Sequence, residues 1–383
     1  MHDVSNDLLT LAQELVRIKS LSGRERQIAR FIASKMEALG FDEVKIDRYG
    51  NVLGRVGEGE RVILFDSHTD TVDVIDEGAW ELPPFSGEIV DGYLWGRGSV
   101  DMKSGAAASI YAAAFAKSQG LLSGKTVYVS CTVDEEYCDG EGLKHLLEEC
   151  SLQPHFSVIC EPSANTIVTG HKGKAQVIIK TKGVSAHGSA PEKGVNAIYE
   201  MAEIIQRVER SNLELMQKDG RRGTLVMSRI SSESVSLNAV PSGCEVYLDR
   251  RMVPGETEQD IRDEMDRIIA GKNATWEIGT LHRQTWTGEE LVYEPFHLAW
   301  EISLQHELTQ AFTRAYAETF GHAPERYDFW DYSTNAVALV RLGIPTIGFG
   351  PGEPKLAHMR DEKCAVSQIV DACRLYTRAI AQL

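Results

Sequence analysis

The sequence predicts an α/β protein with a mostly parallel mixed sheet, helices on both faces, and an inserted α+β domain of the ferredoxin-like type. Strand-like apolar runs alternate with helical stretches over residues 1–172, a pattern typical of parallel sheets covered on both faces. From Gly173 the order becomes βαββαβ, which describes a small self-sufficient sheet. We therefore predict a main domain at 1–172 and 291–383, interrupted by a lid domain at 173–290.

The main domain begins with amphipathic helices and continues with buried strands. Ser22 is a plausible N-cap for a second helix that ends before Gly40. The alanine-rich stretch from Gly105 is apolar on all sides, which predicts a buried helix. The predicted elements are helices Leu8–Val16, 23–39, Gly105–Ala116 and one ending near Cys150, and strands Val62–Phe65, Thr126–Val133 and Phe156–Cys160.

The lid and the return to the main domain follow the same periodicity rules. The predicted lid elements are strands Ala175–Thr181, Thr224–Ile230, Cys244–Arg251 and Thr275–Leu281 and helices Val195–Val208 and Thr257–Ile269. An amphipathic helix, Ser303–Phe320, then leads back, and strand Thr346–Phe349 re-enters the main sheet.

Composition restricts the partners and the compartment. The formal net charge of -16 argues against nucleic acid and against an anionic membrane surface. The 7 cysteines contain no C-x-x-C pair, so neither a disulfide framework nor a zinc ribbon is predicted. The first residues lack the pattern of a signal peptide, and no apolar run reaches the length of a membrane span. We expect a cytoplasmic protein.

Five short stretches supply histidines and carboxylates at or just past the ends of strand-like runs. They are SHTD at 67–70, GRGSVDMKSG at 96–105, DEE at 134–136, CEP at 160–162 and AH at 357–358. Ligands of parallel sheets bind beyond the carboxyl ends of the strands. Zinc and hard divalent ions take such N and O ligands, and a paired site needs one shared carboxylate, which we interpret as Asp101.

Two of these stretches also indicate how the ligands are supported. His68 and Asp70 stand two residues apart, so in an extended segment they point the same way, and Asp70 can fix the imidazole tautomer. The neighbouring Glu135 and Glu136 would repel each other unless one binds metal and the other acts as a base. Taken alone, each stretch could equally be a surface pair or an acidic loop tip without a chemical role.

Together these motifs resemble the M20 family of metallohydrolases, the group of acetylornithine deacetylase and succinyl-diaminopimelate desuccinylase, from about residue 8 to the C-terminus. Three runs look closest to the selenium-metabolism-linked hydrolases of that family: FSGEIVDGYLWGRG, SAHGSAPEKGVNA and GIPTIGFGPGE. The resemblance implies a zinc-peptidase-like main domain. It also implies metal-activated hydrolysis of an amide bond in a small N-acyl amino acid or a related compound.

The resemblance further implies two zinc ions per subunit, with Co²⁺ or Mn²⁺ as substitutes. One ion would be held by His68, Asp101 and Glu161, and the other by Asp101, Glu136 and His358. Glu135 would act as the general base, with Asp70 supporting His68.

Four further residues are assigned by the same resemblance to the substrate and to a homodimer formed through the lid. His187, in SAHGSAP, would reach the active site of the neighbouring subunit. Asn238 and Arg251 would hold a substrate carboxylate, with Gly350 also at the substrate. A structural ion pair is the competing interpretation of Arg251.

The chain departs from the family pattern beside the first histidine, where Ser67 precedes it and Thr71-Val72-Asp73 follow. The run H-T-D-T-V is similar to N-carbamoyl-amino-acid hydrolases, which lack the GRG-x-x-DMK motif found here. Three alternatives stay open: a dipeptidase or aminopeptidase, an N-carbamoyl-amino-acid hydrolase, and a non-catalytic binding protein. The last is disfavoured because Glu135 and all five ligands are present.

Overall fold

The computed structural model describes residues 2–383 of the chain, with side chains from residue 5. The first part of the main domain has the expected alternation of helices and strands. Its elements are α1 (His2–Arg17), α2 (Arg26–Ala38), β1 (Glu43–Ile46), β2 (Val52–Gly57), β3 (Arg61–His68), β4 (Ile89–Val90), β5 (Tyr93–Trp95), α3 (Lys103–Ser118), β6 (Lys125–Thr132), α4 (Glu141–Cys150), β7 (Phe156–Ile159) and β8 (Val168–His171).

The lid has the predicted βαββαβ order. Its elements are β9 (Gly173–Lys182), α5 (Ala197–Met216), β10 (Thr224–Glu233), β11 (Gly243–Met252), α6 (Glu258–Ile269) and β12 (Ala274–Ile278). The strands lie side by side as β10-β11-β9-β12, all antiparallel. This is the ferredoxin-like strand order, and the lid has a hydrophobic core of its own, in which Ile179, Ile204 and Leu248 are fully buried.

The rest of the chain returns to the main sheet. Its elements are β13 (Leu281–Gln284), β14 (Glu290–Tyr293), β15 (Phe296–His297), β16 (Trp300–Glu301), α7 (Glu307–Phe320), β17 (Asp328–Trp330), α8 (Ala336–Val340), β18 (Thr346–Gly348), β19 (Lys363–Ala365) and α9 (Val366–Gln382). β15 still pairs with β9 of the lid, whereas β16 pairs with β8 of the main sheet. The domain boundaries at 172 and 290 stay a prediction.

The main sheet runs β1-β2-β6-β3-β7-β18-β8-β16, with β17 beside β8. Its centre is parallel, since β3 pairs with β6 and β7, and β18 pairs with β7. Towards its margins the pairing is antiparallel, except that β17 pairs in parallel with β8. The main core lies between this sheet and α1, α3, α7 and α9, and most of the alanine-rich α3 is buried within it. The predicted fold class is therefore confirmed.

Several predicted boundaries are wrong. α2 is preceded by Glu25 as its N-cap, and Ser22 instead donates a hydrogen bond to Asp70. α7 begins at Glu307, because His306 accepts a hydrogen bond from the Leu308 amide and caps the helix. The last lid strand ends at Ile278. Within residues 2–383, no helix combines the length and the apolar character that crossing a membrane requires.

Candidate active site

Four of the predicted site residues lie at the carboxyl ends of neighbouring parallel strands. His68 is the last residue of β3, Glu135 and Glu136 follow β6, and Glu161 follows β7. Because β3 pairs in parallel with both β6 and β7, these three strand ends meet at one edge of the sheet. Parallel topology thus brings together side chains that are up to 93 residues apart in the sequence.

Asp101 and His358 lie in the same cluster but do not follow strands of the main sheet directly, so the expectation that every ligand does so is wrong. Asp101 comes after β5, which is a strand of a separate sheet of order β19-β5-β4, and lies just before α3. His358 follows a short 3-10 helix, Pro354–Leu356. Loops, rather than strand ends, place these two side chains.

Asp101 contacts both histidines. Its Oδ1 atom lies 2.9 Å from Nε2 of His68, and its Oδ2 atom lies 3.3 Å from Nε2 of His358. His358 Nε2 also lies 2.9 Å from a carboxylate oxygen of Glu136. Asp101 therefore occupies the position between two sets of ligand atoms that a bridging carboxylate requires.

The remaining acids surround His68. Its Nε2 atom lies 3.6 Å from Glu161 Oε1 and 3.9 Å from Glu135 Oε2. Ligand atoms of two triads lie within 4.8 Å of one another: His68–Asp101–Glu136 and His68–Glu135–Glu161. All the predicted metal ligands and the predicted base thus form one connected cluster.

Asp70 contacts both His68 and the loop that carries Glu135 and Glu136. Its backbone oxygen lies 3.0 Å from Nδ1 of His68, and a carboxylate oxygen lies 3.4 Å from the same nitrogen. Its two carboxylate oxygens accept hydrogen bonds from the backbone amides of Glu135 and Glu136, each at 3.1 Å. One buried side chain therefore orients the imidazole and also holds the loop that carries both acids.

The electrostatics of the cluster fit divalent cations. Burial is the main cause that raises the pKa of Glu135 and of Glu161 well above the usual value. Hydrogen bonds with Asp101 and Glu136 raise the pKa of His358 to about 11. Burial and crowding of the carboxylates thus favour the protonated forms of these side chains, and bound cations would replace those protons.

The donor set leads to the same conclusion. Four carboxylates, those of Asp101, Glu135, Glu136 and Glu161, carry four formal negative charges when ionised, which two divalent ions would neutralise. Imidazole and carboxylate are the ligands that suit such ions. The residues present therefore fit a dinuclear metal centre.

Sequence reasoning missed a group of buried charges that shape the acidic loop. Glu25 Oε1 accepts a hydrogen bond from the Asp134 amide at 3.2 Å. Arg283, on β13, donates to Asp134 Oδ1 at 3.0 Å, and its guanidinium lies over the Tyr137 ring. Glu25 and Asp134 are both fully buried. No spacing or periodicity in the sequence indicates these contacts, because Arg283 is 149 residues from its partner.

Three of the predicted lid residues lie apart from the cluster. His187 and Asn238 are exposed and adjacent, since His187 bridges to Ala239 and the Gly188 amide donates to the Asn238 carbonyl. Arg251 forms two hydrogen bonds with Asp249, at 2.7 and 3.1 Å. Among the described residues, no hydrogen bond or ion pair joins these three side chains to the metal ligands.

Gly350, by contrast, is packed directly behind a ligand. A Cβ atom at this position would lie 2.3 Å from the Cys160 carbonyl oxygen and 2.4 Å from that of Glu161. Its amide donates to Ser163 Oγ at 3.0 Å. A side chain here would displace the backbone that carries Glu161, which is a sufficient structural reason for glycine.

Comparison with known proteins agrees with this geometry. Residues 64–382 match the family model described as Peptidase family M20/M25/M40. The chain belongs to this family. YgeY of Escherichia coli (strain K12) is 37% identical over 382 residues, which cover 98% of this chain and 94% of YgeY.

Other M20 relatives are similar over nearly the whole chain. Succinyl-diaminopimelate desuccinylase from Cereibacter sphaeroides (strain ATCC 17029 / ATH 2.4.9) is 27% identical and covers 98% of each chain. Acetylornithine deacetylase from Proteus mirabilis (strain HI4320) is 28% identical, covering 92% of this chain and 91% of its own. The solved Bacillus subtilis YXEP protein, described as a dinuclear metal-binding peptidase from the M20 family, shares the fold. Its TM-score is 0.72 at 16% identity, with coverage of 100% and 98%. The chain is thus a metal-dependent hydrolase of the M20 type.

Proposed function

We propose that the protein removes the acyl group from a small N-acyl amino acid or a related compound, by hydrolysis of the amide bond at a two-metal centre. The contact of Asp101 with both histidines, inside a cluster of acids, is the observation that carries this proposal. Two relatives whose names describe removal of a succinyl or an acetyl group support the substrate class.

In this proposal His68, Asp101 and Glu161 hold one ion, and Asp101, Glu136 and His358 hold the other. We propose zinc, with Co²⁺ or Mn²⁺ as substitutes, because imidazole and carboxylate donors suit all three. When bound, such ions polarise the substrate carbonyl and make a water molecule acidic near neutral pH.

Glu135 is the proposed proton carrier. Its carboxylate lies within the cluster, 3.9 Å from His68 Nε2, and it is buried. In the role we propose, Glu135 takes a proton from the attacking water and then delivers it to the nitrogen of the leaving amine. Asp70 keeps Glu135 in place through the backbone amide.

The lid is proposed to bind the carboxylate of the substrate. Arg251 offers a planar fork of donors that matches a carboxylate, and Asn238 offers an amide. Because Arg251 pairs with Asp249, substrate binding would require the guanidinium to exchange or share that partner. A negatively charged substrate end is the feature that we expect these residues to select.

We also propose a homodimer through the lid. β10 is the edge strand of the lid sheet, and several of its side chains face solvent, including Val226 and Ile230, which are 50% and 53% exposed. Leu213 on the adjacent α5 is 55% exposed. An unpaired, partly apolar strand edge is suited to pairing with the same strand of a second copy about a two-fold axis.

The dimer would bring His187 to the active site of the partner, and a mixing experiment tests this. Glu135→Ala and His187→Ala chains, each inactive alone, are mixed with verified subunit exchange. About half of the dimers are then mixed, and each contains one site with both residues intact, so activity should recover to about a quarter of wild type. A mixture that stays inactive would show that His187 acts within its own chain.

A substrate panel tests the reaction itself. Metal-reconstituted protein is offered N-acetyl, N-succinyl and N-carbamoyl amino acids together with dipeptides, and amine release is measured. We expect the fastest release from an N-acyl amino acid, and a lower rate from the matching compound without its free carboxylate. Hydrolysis of dipeptides alone would replace the proposal with a peptidase, and hydrolysis of N-carbamoyl compounds alone with a carbamoylase.

The cysteines support the proposed cytoplasmic location. All 7 are free, and most of them are buried. Free thiols without disulfides are typical of proteins in reducing compartments.

A further inference from the structure

A buried ion pair, Arg97 with Glu362, lies between the two loops that supply Asp101 and His358. Arg97 is 4% exposed and Glu362 is fully buried. Arg97 Nη1 donates to Glu362 Oε2 at 2.5 Å. Neither residue belongs to the cluster of proposed ligands.

Glu362 holds the Asp101 loop through its backbone. Its Oε1 atom accepts hydrogen bonds from the amides of Val100, at 2.8 Å, and Asp101, at 3.1 Å. Its own carbonyl accepts from the amide of Gly96, at the beginning of the same loop. The carboxylate therefore fixes the backbone from which the bridging side chain of Asp101 extends.

Arg97 holds the His358 loop in the same way. Its Nη2 atom donates to the carbonyl of His358 and its Nη1 atom to the carbonyl of Met359, both at 3.3 Å. His358 has φ of 62°, in the left-handed region that residues other than glycine rarely adopt. The bonds from Arg97 help to hold the ligand in this uncommon backbone conformation.

We propose that Arg97 and Glu362 are positioning residues for Asp101 and His358, and that they matter most for the metal ion held by Asp101, Glu136 and His358. The proposal rests on the two-metal function given above. The ion pair holds the loops of two ligands of this ion, Asp101 and His358. Of the other ion's ligands it holds only the shared Asp101, since His68 and Glu161 lie on strand ends. Loss of the pair should therefore weaken the first ion by about 10–100-fold in affinity, as is usual for residues that orient ligands, and the other ion less.

The test measures metal retention. Zinc-loaded wild type and Glu362→Gln proteins are dialysed against graded chelator concentrations, and zinc per chain is measured by mass spectrometry. Gln keeps the size of the side chain and an acceptor for the two amides, but it loses the charge opposite Arg97. We expect the variant to release one of its two ions at about 10–100-fold lower chelator strength than wild type, and the other at a chelator strength that is reduced much less.

A matched control comes from the lid, where Arg250 and Glu264 form another buried ion pair, 2.8 Å apart. Glu264→Gln should lower the melting temperature as Glu362→Gln does, yet leave both ions bound. If Glu362→Gln fails to fold, Arg97→Lys replaces it, since Lys keeps the charge but loses the fork that reaches two carbonyls.

The outcomes separate the two proposals. Wild type that binds no zinc overturns the metal centre itself. Wild type with two ions, and a variant whose ions are both retained or both weakened equally, overturns the positioning role and leaves the proposed function intact. Unequal weakening of the two ions in the variant, absent from Glu264→Gln, supports it.

Discussion

Replacing Glu135 by Gln is expected to lower kcat by roughly 10²–10⁴-fold, while zinc content and KM change little. Gln keeps the shape of the site and the backbone bond to Asp70, but its amide cannot take a proton from water or return one to the leaving amine. Steady-state amine release on the best substrate of the panel gives kcat and KM, and mass spectrometry gives the zinc content.

The matched control is Glu141→Gln. Glu141 is a buried acid six residues further along the chain, but it pairs with Lys144 and lies outside the cluster. It should keep the kcat of wild type. If Glu135→Gln also kept near-normal kcat with both ions bound, Glu135 would not be the base.

Replacing Asp101 by Ala is expected to lower occupancy at both metal positions, because its two oxygens lie beside His68 and His358 respectively. Activity should fall with the zinc content. Glu161→Ala removes a ligand assigned to one ion and should empty mainly that position. Zinc per chain, measured after dialysis against metal-free buffer, distinguishes the two variants. Two full equivalents of zinc in Asp101→Ala would end the bridging role.

The sequence was sufficient for the fold because hydrophobic periodicity is a local property. The buried α3 and the βαββαβ order of the lid follow from runs of residues that are close in the chain. Helix ends were less predictable where a tertiary contact intervenes. Ser22 has the chemistry of an N-cap, yet it bonds to Asp70, 48 residues away, and α2 begins later.

The candidate site also contains residues that the sequence predicts and residues that it does not. The prediction of a parallel sheet correctly placed His68, Glu135 and Glu161 at one edge, since neighbouring parallel strands end on the same side of the sheet. Arg97 and Glu362 were missed, because their pairing joins loops 265 residues apart and leaves no periodic trace. The one signal available was the charged Arg97 within a glycine-rich turn, whereas Glu362 stands among other charged residues.

The roles of the predicted lid residues depend on partners other than the chain's own metal ligands. His187 and Asn238 are exposed, and a role for them depends on a second subunit that one chain cannot supply. Arg251 has a partner within its own strand, so its role depends on whether substrate displaces Asp249. Motif resemblance assigns these residues, but only the mixing experiment and the substrate panel test the assignments.

The central claim, a hydrolase that needs two metal ions bridged by one carboxylate, is tested most directly by a zinc titration of activity. Zinc is added stepwise to metal-free wild type, and the rate of amine release from the best N-acyl amino acid of the panel is measured at each step. Two-metal chemistry predicts negligible activity without zinc and a rate that reaches its plateau at about two equivalents per chain. A plateau at one equivalent, or full activity in the metal-free protein, would contradict it.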